Sequence, residues 1–252
     1  MCVAAIYDIH GNLPALEAVL QEIRQEKVDH IVVGGDMLPG PMPRETLDCL
    51  RDLDAPTHFI YGNGEVAVLQ QMAGNEPKAV PQAYLPVIRW TAEQLHREHQ
   101  KWLSTWPKTL TLEVTGLGAV LFCHATPQNE NDIFTRLTSD DRLLPLFEGL
   151  DSATVVCGHT HMQFDRKIAH NRIVNAGSVG MPFGKPGADW LLLGPDIQFR
   201  HTGYNLANAA ERVRSTHYPQ AEDFAARNIL NPPREQEMLE IFNRVEIPAT
   251  AK

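Results

Sequence analysis

The first third of the chain alternates short apolar runs with longer segments of helical periodicity. The apolar runs are Val3–Tyr7, Ile31–Val33 and Thr57–Tyr61, and each has the length of a buried strand. Between them, Leu13–Glu26 and Pro43–Leu53 repeat leucine and other apolar residues at the spacing of one helix face. The order strand, helix, strand, helix, strand predicts right-handed crossovers and a mostly parallel sheet.

The pattern changes after the third strand. Residues 66–107 are mainly helical in pattern and predict an insertion or cap beside the end of the sheet. Strands separated by turn residues then dominate up to residue 201. Their predicted bounds are Thr109–Val114, Ala119–Cys123, Ala153–Cys157, Gln163–Ala169, Arg172–Val174, Trp190–Leu193 and Ile197–His201, with a helix around Asp140–Phe147.

From residue 204 onward the chain is polar and helical in pattern, with breaks at Pro219 and at Pro232 and Pro233. This part holds no candidate active-site cluster. We therefore predict a domain over residues 1–203, which includes the insertion at about 66–107, and a helical extension over 204–252 that packs on the same domain. A chain of 252 residues with 43% hydrophobic content can bury one large core.

Composition narrows the partners and the compartment. With 22 basic and 31 acidic residues the formal net charge is −9, which argues against long nucleic acid as a partner. Because no basic region followed by an apolar stretch stands near Met1, we expect no secretion signal, and no run approaches the roughly 18–20 apolar residues of a membrane span. Its four cysteines are too far apart for a redox CxxC or a zinc knuckle. We expect a cytoplasmic protein with no membrane partner, and self-association stays open.

Acidic, amide and imidazole side chains follow the apolar runs, where each strand would end. In parallel sheets, ligands bind beyond the carboxyl ends of the strands. In extended backbone, the two-residue spacing of Asp8 from His10, and of His159 from His161, directs both side chains of each pair into one site. The whole set is Asp8, His10, Asp36, Asn63, His124, His159 and His161. Such oxygen and nitrogen donors suit two divalent ions, and ions about 3.5–4 Å apart hydrolyse phosphate esters in many enzymes.

These motifs occur in the order Asp-x-His, Gly-Asp, Gly-Asn, His and Gly-His-Thr-His, which resembles that of the calcineurin-like metallophosphoesterases. The run Asn175–Gly180 is similar to that of the small bacterial and archaeal phosphodiesterase branch of this family. The resemblance covers roughly residues 3 to 201. It implies an α/β fold of two mixed β-sheets packed face to face and flanked by helices, with the metals at the loop edge.

The resemblance also implies a ligand set for each metal ion. The first ion would take Asp8, His10, Asp36 and His161, and the second would take Asp36, Asn63, His124 and His159, with Asp36 bridging the two. Asp8, His10, Asp36, Asn63 and His124 would then act in catalysis through the metals, which would be Mn, Fe, Zn or Ni, with Mn the expected activator in vitro. Asn12, Glu65, Gly177 and Ser178 are expected to support the ligands or to contact substrate.

The activity implied is attack of a metal-bridging hydroxide on a small or nucleotide-like phosphodiester. A phosphomonoesterase or protein phosphatase of the same fold is the alternative within hydrolysis. One residue departs from the family pattern, because Gly64 stands where most members have a histidine that protonates the leaving oxygen or holds the phosphate. Loss of a general acid costs about 10²–10⁴-fold in rate where that proton matters. Three readings follow: another group donates the proton, the ester has a leaving group that needs little help, or the chain is a non-catalytic metal-binding scaffold.

Overall fold

The computed structural model describes residues 1–244, so residues 245–252 of the predicted C-terminal extension lie outside the described residues. Within the described part, ten strands form two sheets of five. The strands are β1 (Val3–Ile6), β2 (His30–Val33), β3 (Thr57–Phe59), β4 (Thr109–Val114), β5 (Gly118–Cys123), β6 (Thr154–Cys157), β7 (Gln163–Ile168), β8 (Asn171–Ala176), β9 (Ala188–Leu193) and β10 (Ile197–Thr202).

The first sheet has the order β10-β9-β1-β2-β3. β1, β2 and β3 are parallel, as the alternating pattern predicts, and helices α1 (Leu13–Glu26) and α2 (Pro43–Arg51) make the crossovers. β9 and β10 extend the sheet in antiparallel register on the other side of β1. This arrangement brings the carboxyl ends of three strands to one edge.

The second sheet has the order β4-β5-β6-β8-β7, with β5, β6 and β8 parallel and the two edge strands antiparallel to their neighbours. Its inner face packs on the first sheet through fully buried side chains such as Val32, Phe122, Val156 and Leu191. Helix α6 (Asp140–Phe147) covers its outer face. The predicted fold class is confirmed: two mixed sheets lie face to face with helices outside.

The helical segment that joins β3 to β4 begins earlier than predicted. Helix α3 (Asn63–Met72) begins at Asn63 rather than at residue 66, inside the third motif, because the side chain of Glu65 accepts the N–H of Gly62 and caps the helix. A 3₁₀ turn (Gln82–Tyr84) and helices α4 (Leu85–Gln94) and α5 (Arg97–Leu103) follow. Val68, Val87 and Ile88 join the core that α1 and α2 form on the first sheet.

The described part of the C-terminal extension shares the same core. It contains α7 (Leu206–Arg214), α8 (Ala221–Phe224), a π-helical segment (Ala225–Leu230) and α9 (Glu235–Phe242). Val213, Phe224 and Ile229 are buried against the layer of helices on the first sheet. The boundary between residues 203 and 204 stays a prediction.

Several strand ends differ from the predicted bounds. Tyr61 lies beyond the end of β3 because its N–H bonds the carbonyl of Pro107 instead of a neighbouring strand. β8 is longer than the predicted Arg172–Val174 because it pairs with β6 on one side and β7 on the other. Among residues 1–244, no helix combines the length and the apolar character needed to cross a bilayer.

Candidate metal centre

The seven predicted ligand residues lie on loops at one edge of the two sheets. Asp8 and His10 follow β1, Asp36 follows β2, and Asn63 begins α3 after β3. From the second sheet, His124 follows β5, and His159 and His161 follow β6. The structure brings all seven together as two adjoining groups.

Five of these residues have a left-handed backbone, with φ of 53° at Asp8, 47° at His10, 52° at Asp36, 66° at His159 and 55° at His161. The extended backbone expected for the two paired motifs is therefore wrong. Non-glycine residues rarely adopt positive φ, and such strain collects at functional sites where the surrounding structure enforces it. The sharp turns let His159 and His161 point into different groups although one residue separates them.

The first group contains Asp8, His10 and His161. The Nε2 atoms of His10 and His161 are 3.2 Å apart. Asp8 Oδ1 lies 3.4 Å from His161 Nε2 and 4.0 Å from His10 Nε2. All three donor atoms thus surround one small volume.

The second group contains Asp36, His124 and His159, with the side-chain oxygen of Asn63 beside them. His124 Nε2 lies 3.1 Å from Asn63 Oδ1 and 3.2 Å from His159 Nδ1. It is also 3.5 Å from Asp36 Oδ2.

Asp36 stands between the two groups. Its Oδ2 lies 3.5 Å from His124 Nε2 and 3.8 Å from His10 Nε2, while its Oδ1 accepts the N–H of Gly64 at 2.7 Å. One carboxylate oxygen is therefore held by backbone and the other faces both groups. This is the position that the bridging role of Asp36 requires.

Backbone carbonyls orient three of the four imidazoles. The Nδ1 atoms of His124 and His161 each lie 3.0 Å from a carbonyl oxygen, of Gly34 and Met181 respectively, and that of His10 lies 3.3 Å from the carbonyl of Pro39. A neutral ring that donates its Nδ1–H in this way presents the Nε2 lone pair on its other side, which here is the inside of the site.

The buried charges shift one another's pKa. Burial alone would raise the pKa of Asp36, but the neighbouring His124 outweighs it and lowers the pKa below the ordinary value. Burial acts to lower the pKa of His124, yet Asp36 and Asp8 raise it to about 10. Burial, with His124 next to it, lowers the pKa of His159 to about 4. In the metal-free site the protonated His124 therefore offsets part of the negative charge of Asp36 and Asp8.

A metal ion fits these residues. Asp8 is fully buried, its Oδ2 accepts the N–H of His159 at 2.8 Å, and, in the part of the chain that the structure describes, its Oδ1 has no hydrogen-bond partner. An unpaired buried carboxylate oxygen is costly unless a cation satisfies it. Carboxylate, amide and imidazole donors that converge at this spacing supply such a cation site.

Glu65 supports the loop that carries Asp36. It is fully buried, and its carboxylate accepts the N–H groups of Asp36 and Gly62 at 2.8 Å and of Leu38 at 3.0 Å. Burial and the nearby Asp36 charge raise the pKa of Glu65 to about 7. Glu65 thus contacts the backbone around a ligand rather than the interior of the site.

The Asn175–Gly180 run hydrogen-bonds the loops that carry Asp8 and His159. Ser178 Oγ donates to the carbonyl of Asp8 at 2.7 Å, and Asn175 Nδ2 donates to the carbonyl of Gly158 at 2.6 Å. Gly177 has φ of +75°, and a Cβ there would lie 2.6 Å from Asp189 Cβ. The structure thus places Ser178 and Gly177 in the supporting frame.

Asn12 is also part of this frame. Its side chain accepts the N–H of Ala15 at 3.3 Å and caps α1, and it donates to the carbonyl of Gly180 at 2.9 Å. It is fully buried, so its contacts are with the protein itself.

Sequence reasoning missed a cavity of about 350 Å³ that opens onto His10, Asp36 and Asn63. Residues from α3, α4 and the segment between them form most of its wall, together with Glu130 and Asn131. The predicted position of the helical insertion beside the site was the signal that could have pointed to it.

Residues 1–194 match the family model of the calcineurin-like phosphoesterase superfamily domain. An uncharacterized protein of Methanocaldococcus jannaschii is 30% identical over 179 residues, which cover 70% of this chain and 69% of that protein.

Two solved structures are similar along most of their length. A hypothetical protein from Pyrococcus horikoshii OT3 has a TM-score of 0.76 at 19% identity, over 92% of this chain and 99% of that one. A metallophosphoesterase from Sphaerobacter thermophilus has a TM-score of 0.69 at 26% identity, over 90% of this chain and 97% of that one. At 19% identity, the first similarity shows the fold alone. The second is a similarity to a protein described as a metallophosphoesterase.

Proposed function

The chain belongs to the calcineurin-like phosphoesterase superfamily, and from this premise we propose that it is a phosphodiesterase that hydrolyses small or nucleotide-like esters with two divalent metal ions. Members of this family use divalent metals. The observation that carries the proposal is the convergence of seven donor side chains in two adjoining groups, one of which contains the buried Asp8 Oδ1, an atom without a hydrogen-bond partner among residues 1–244.

The residues of the chain prepare the site for two ions and an anionic substrate. Asp8 and Asp36 contribute two negative charges, so two divalent cations leave a positive surplus that attracts a phosphate ester. When bound, such ions lower the pKa of water towards about 7 and stabilise the phosphoryl oxygens during in-line displacement. The carbonyls of Gly34, Pro39 and Met181 fix the ring orientation of three histidines before any ion arrives.

The leaving group sets a limit on the substrate. Gly64 offers no side chain to protonate the departing oxygen, and among the described residues that line the adjoining cavity the one histidine is His10, itself a proposed ligand. We therefore expect water to supply the proton and esters of acidic alcohols to react fastest, since a good leaving group needs little general-acid help.

Hydrolysis by the full chain tests this proposal. Metal-stripped protein reloaded with Mn²⁺ should cleave bis(p-nitrophenyl) phosphate faster than p-nitrophenyl phosphate. Asp36→Asn should abolish the metal-dependent rate, and the matched change of an exposed acid, Asp54→Asn, should leave it unchanged.

Two other outcomes contradict the proposal in different ways. Preference for the monoester would assign the site to a phosphatase. Bound metal with no turnover of either ester would favour a non-catalytic scaffold, in which Gly64 marks a lost catalytic function.

A further inference from the structure

The lining of the cavity beside the metal centre is of two kinds. His10, Asp36, Asn63 and Gly64 belong to or adjoin the candidate metal centre. Apart from Gln70, Glu130 and Asn131, the other lining residues are apolar: Pro39, Val66, Ala67, Pro77, Ala79, Val80, Pro81, Tyr84 and Ile88. A group attached to a phosphate held at the metal centre would therefore contact mainly apolar side chains in the cavity.

Part of the apolar wall is ordered before any ligand binds. Ala67 on α3 and Ile88 on α4 are 5% and 3% exposed, respectively, and both belong to the main core of the protein. Pro77 and Pro81 restrict the backbone of the segment that joins the two helices. Because these groups are fixed by the core or by proline, a ligand would not have to order this part of the wall in order to bind.

Charge in the cavity disfavours a second anionic group. None of the described residues that line it is lysine or arginine. Apart from the proposed ligands, the charged lining residue is Glu130, which pairs with Lys108 at 3.1 Å. A second phosphate or a carboxylate in the cavity would lose its hydration without gaining a cationic partner, which is unfavourable.

From this arrangement we propose that the cavity is the subsite for an uncharged, mainly apolar organic group of the ester substrate. The inference rests on the proposed function, because it takes the phosphate to lie at the metal centre. Its volume of about 350 Å³ is near the lower end of small-molecule sites, which span about 300–1,000 Å³. One compact alkyl, aryl or nucleoside-like group fits this description, whereas a polyphosphate chain does not.

Binding of hydrolysis-resistant phosphonates tests the subsite without requiring turnover. Calorimetric titration of the Mn²⁺-loaded full chain would compare methylphosphonate, butylphosphonate and 3-phosphonopropionate, which matches butylphosphonate in length but ends in a carboxylate. We expect butylphosphonate to bind at least about tenfold more tightly than methylphosphonate, because three more methylene groups leave water. We expect 3-phosphonopropionate to lose that gain.

A cationic side chain placed in the wall tests whether the apolar lining causes the preference for butylphosphonate. Val80→Lys should remove most of the preference for butylphosphonate and improve binding of 3-phosphonopropionate. The matched control is Phe199→Lys, at an apolar residue of β10 that is 41% exposed and does not line the cavity. The control should bind all three phosphonates as the natural chain does.

The results separate the subsite from the reaction. Equal binding of methyl- and butylphosphonate, no binding of either, or a preference that Val80→Lys leaves intact would each overturn the subsite. If butylphosphonate is preferred but no ester is hydrolysed with any loaded metal, the subsite stands and the proposed activity fails. If the Mn²⁺-loaded chain hydrolyses bis(p-nitrophenyl) phosphate but binds methyl- and butylphosphonate equally, the subsite fails while the proposed activity stands.

Discussion

Gly64 is the residue at which this chain departs from the family pattern, and its packing explains why the position is glycine here. A Cβ at position 64 would lie 2.0 Å from the carbonyl oxygen of Leu38 and 3.0 Å from Asp36 Oδ1. The loop after β2 therefore occupies the space that a histidine side chain would need. The local backbone, as it is folded here, therefore leaves no room for a histidine at position 64.

Replacement of Gly64 by alanine should consequently destabilise the fold. The atom in conflict is backbone, which cannot rotate away, and overpacking of this kind costs about 1–3 kcal/mol. Urea unfolding of metal-free protein measures the change. The control is Gly203→Ala, where a Cβ meets nothing within 4 Å and the change should stay within about 0.5 kcal/mol. Equal midpoints for the two variants would contradict the packing account.

His124 links metal binding to pH. In the metal-free site its pKa is about 10, because the carboxylates of Asp36 and Asp8 outweigh burial. At pH 7.5 the ring is therefore protonated and must lose its proton before it can bind a metal ion, so metal affinity should rise with pH up to about 10.

Calorimetry of Mn²⁺ binding at pH 7.5, in buffers of different ionisation enthalpy, should then show release of about one proton per chain. Replacement of the exposed His217 by asparagine should not change that number. Binding without proton release would show that His124 is neutral before the metal arrives.

At the scale of elements, the start of α3 connects the metal centre to the helical segment. Asn63 and Gly64 are its first residues, and Glu65 bonds the backbone of both the helix start and the Asp36 loop. Loss of a hydrogen bond between Glu65 and this backbone should loosen Asp36 without removing any proposed ligand.

The substitution Glu65→Gln removes such a hydrogen bond. One half of the glutamine amide is a donor, so at least one of the three backbone N–H groups loses its acceptor. Mn²⁺ affinity should fall by about 10–100-fold, as is usual when a support of a metal ligand is removed. Glu98→Gln, at an exposed position of α5, is the matched control and should bind Mn²⁺ normally. Unchanged affinity in Glu65→Gln would assign Glu65 to folding alone.

Elements with strong local periodicity could be predicted from the sequence, whereas features fixed by distant contacts could not. Helix α1 has its predicted bounds because apolar spacing and the Asn12 cap are local signals. The early start of α3 rests on the cap that Glu65 forms on the N–H of Gly62, but its first residues, Asn63 and Gly64, are weak helix formers and hide that signal. The positive φ at Asp8 and His10 depends on neighbouring loops, so no local pattern announces it.

At the scale of the whole molecule, the site draws on segments far apart in the chain. The convergence of the seven proposed ligand residues could be predicted because each follows an apolar run in a known order of motifs. The cavity was not, because its lining extends from His10 to Asn131 and has no single sequence pattern. The C-terminal extension packs next to a neighbour of the centre: the ring centroid of Phe242 on α9 lies 6.2 Å from that of Phe183, whose ring stacks on His161 with centroids 5.3 Å apart.

We propose that the two adjoining groups of side chains hold two metal ions, with Asp36 between them. Metal content after equilibrium dialysis against Mn²⁺, measured by mass spectrometry on the full chain, tests this arrangement. We predict two ions per natural chain and fewer than two in Asp36→Asn. One ion or none in the natural chain, or two ions retained in Asp36→Asn, would show that these residues do not form a two-metal centre that depends on Asp36.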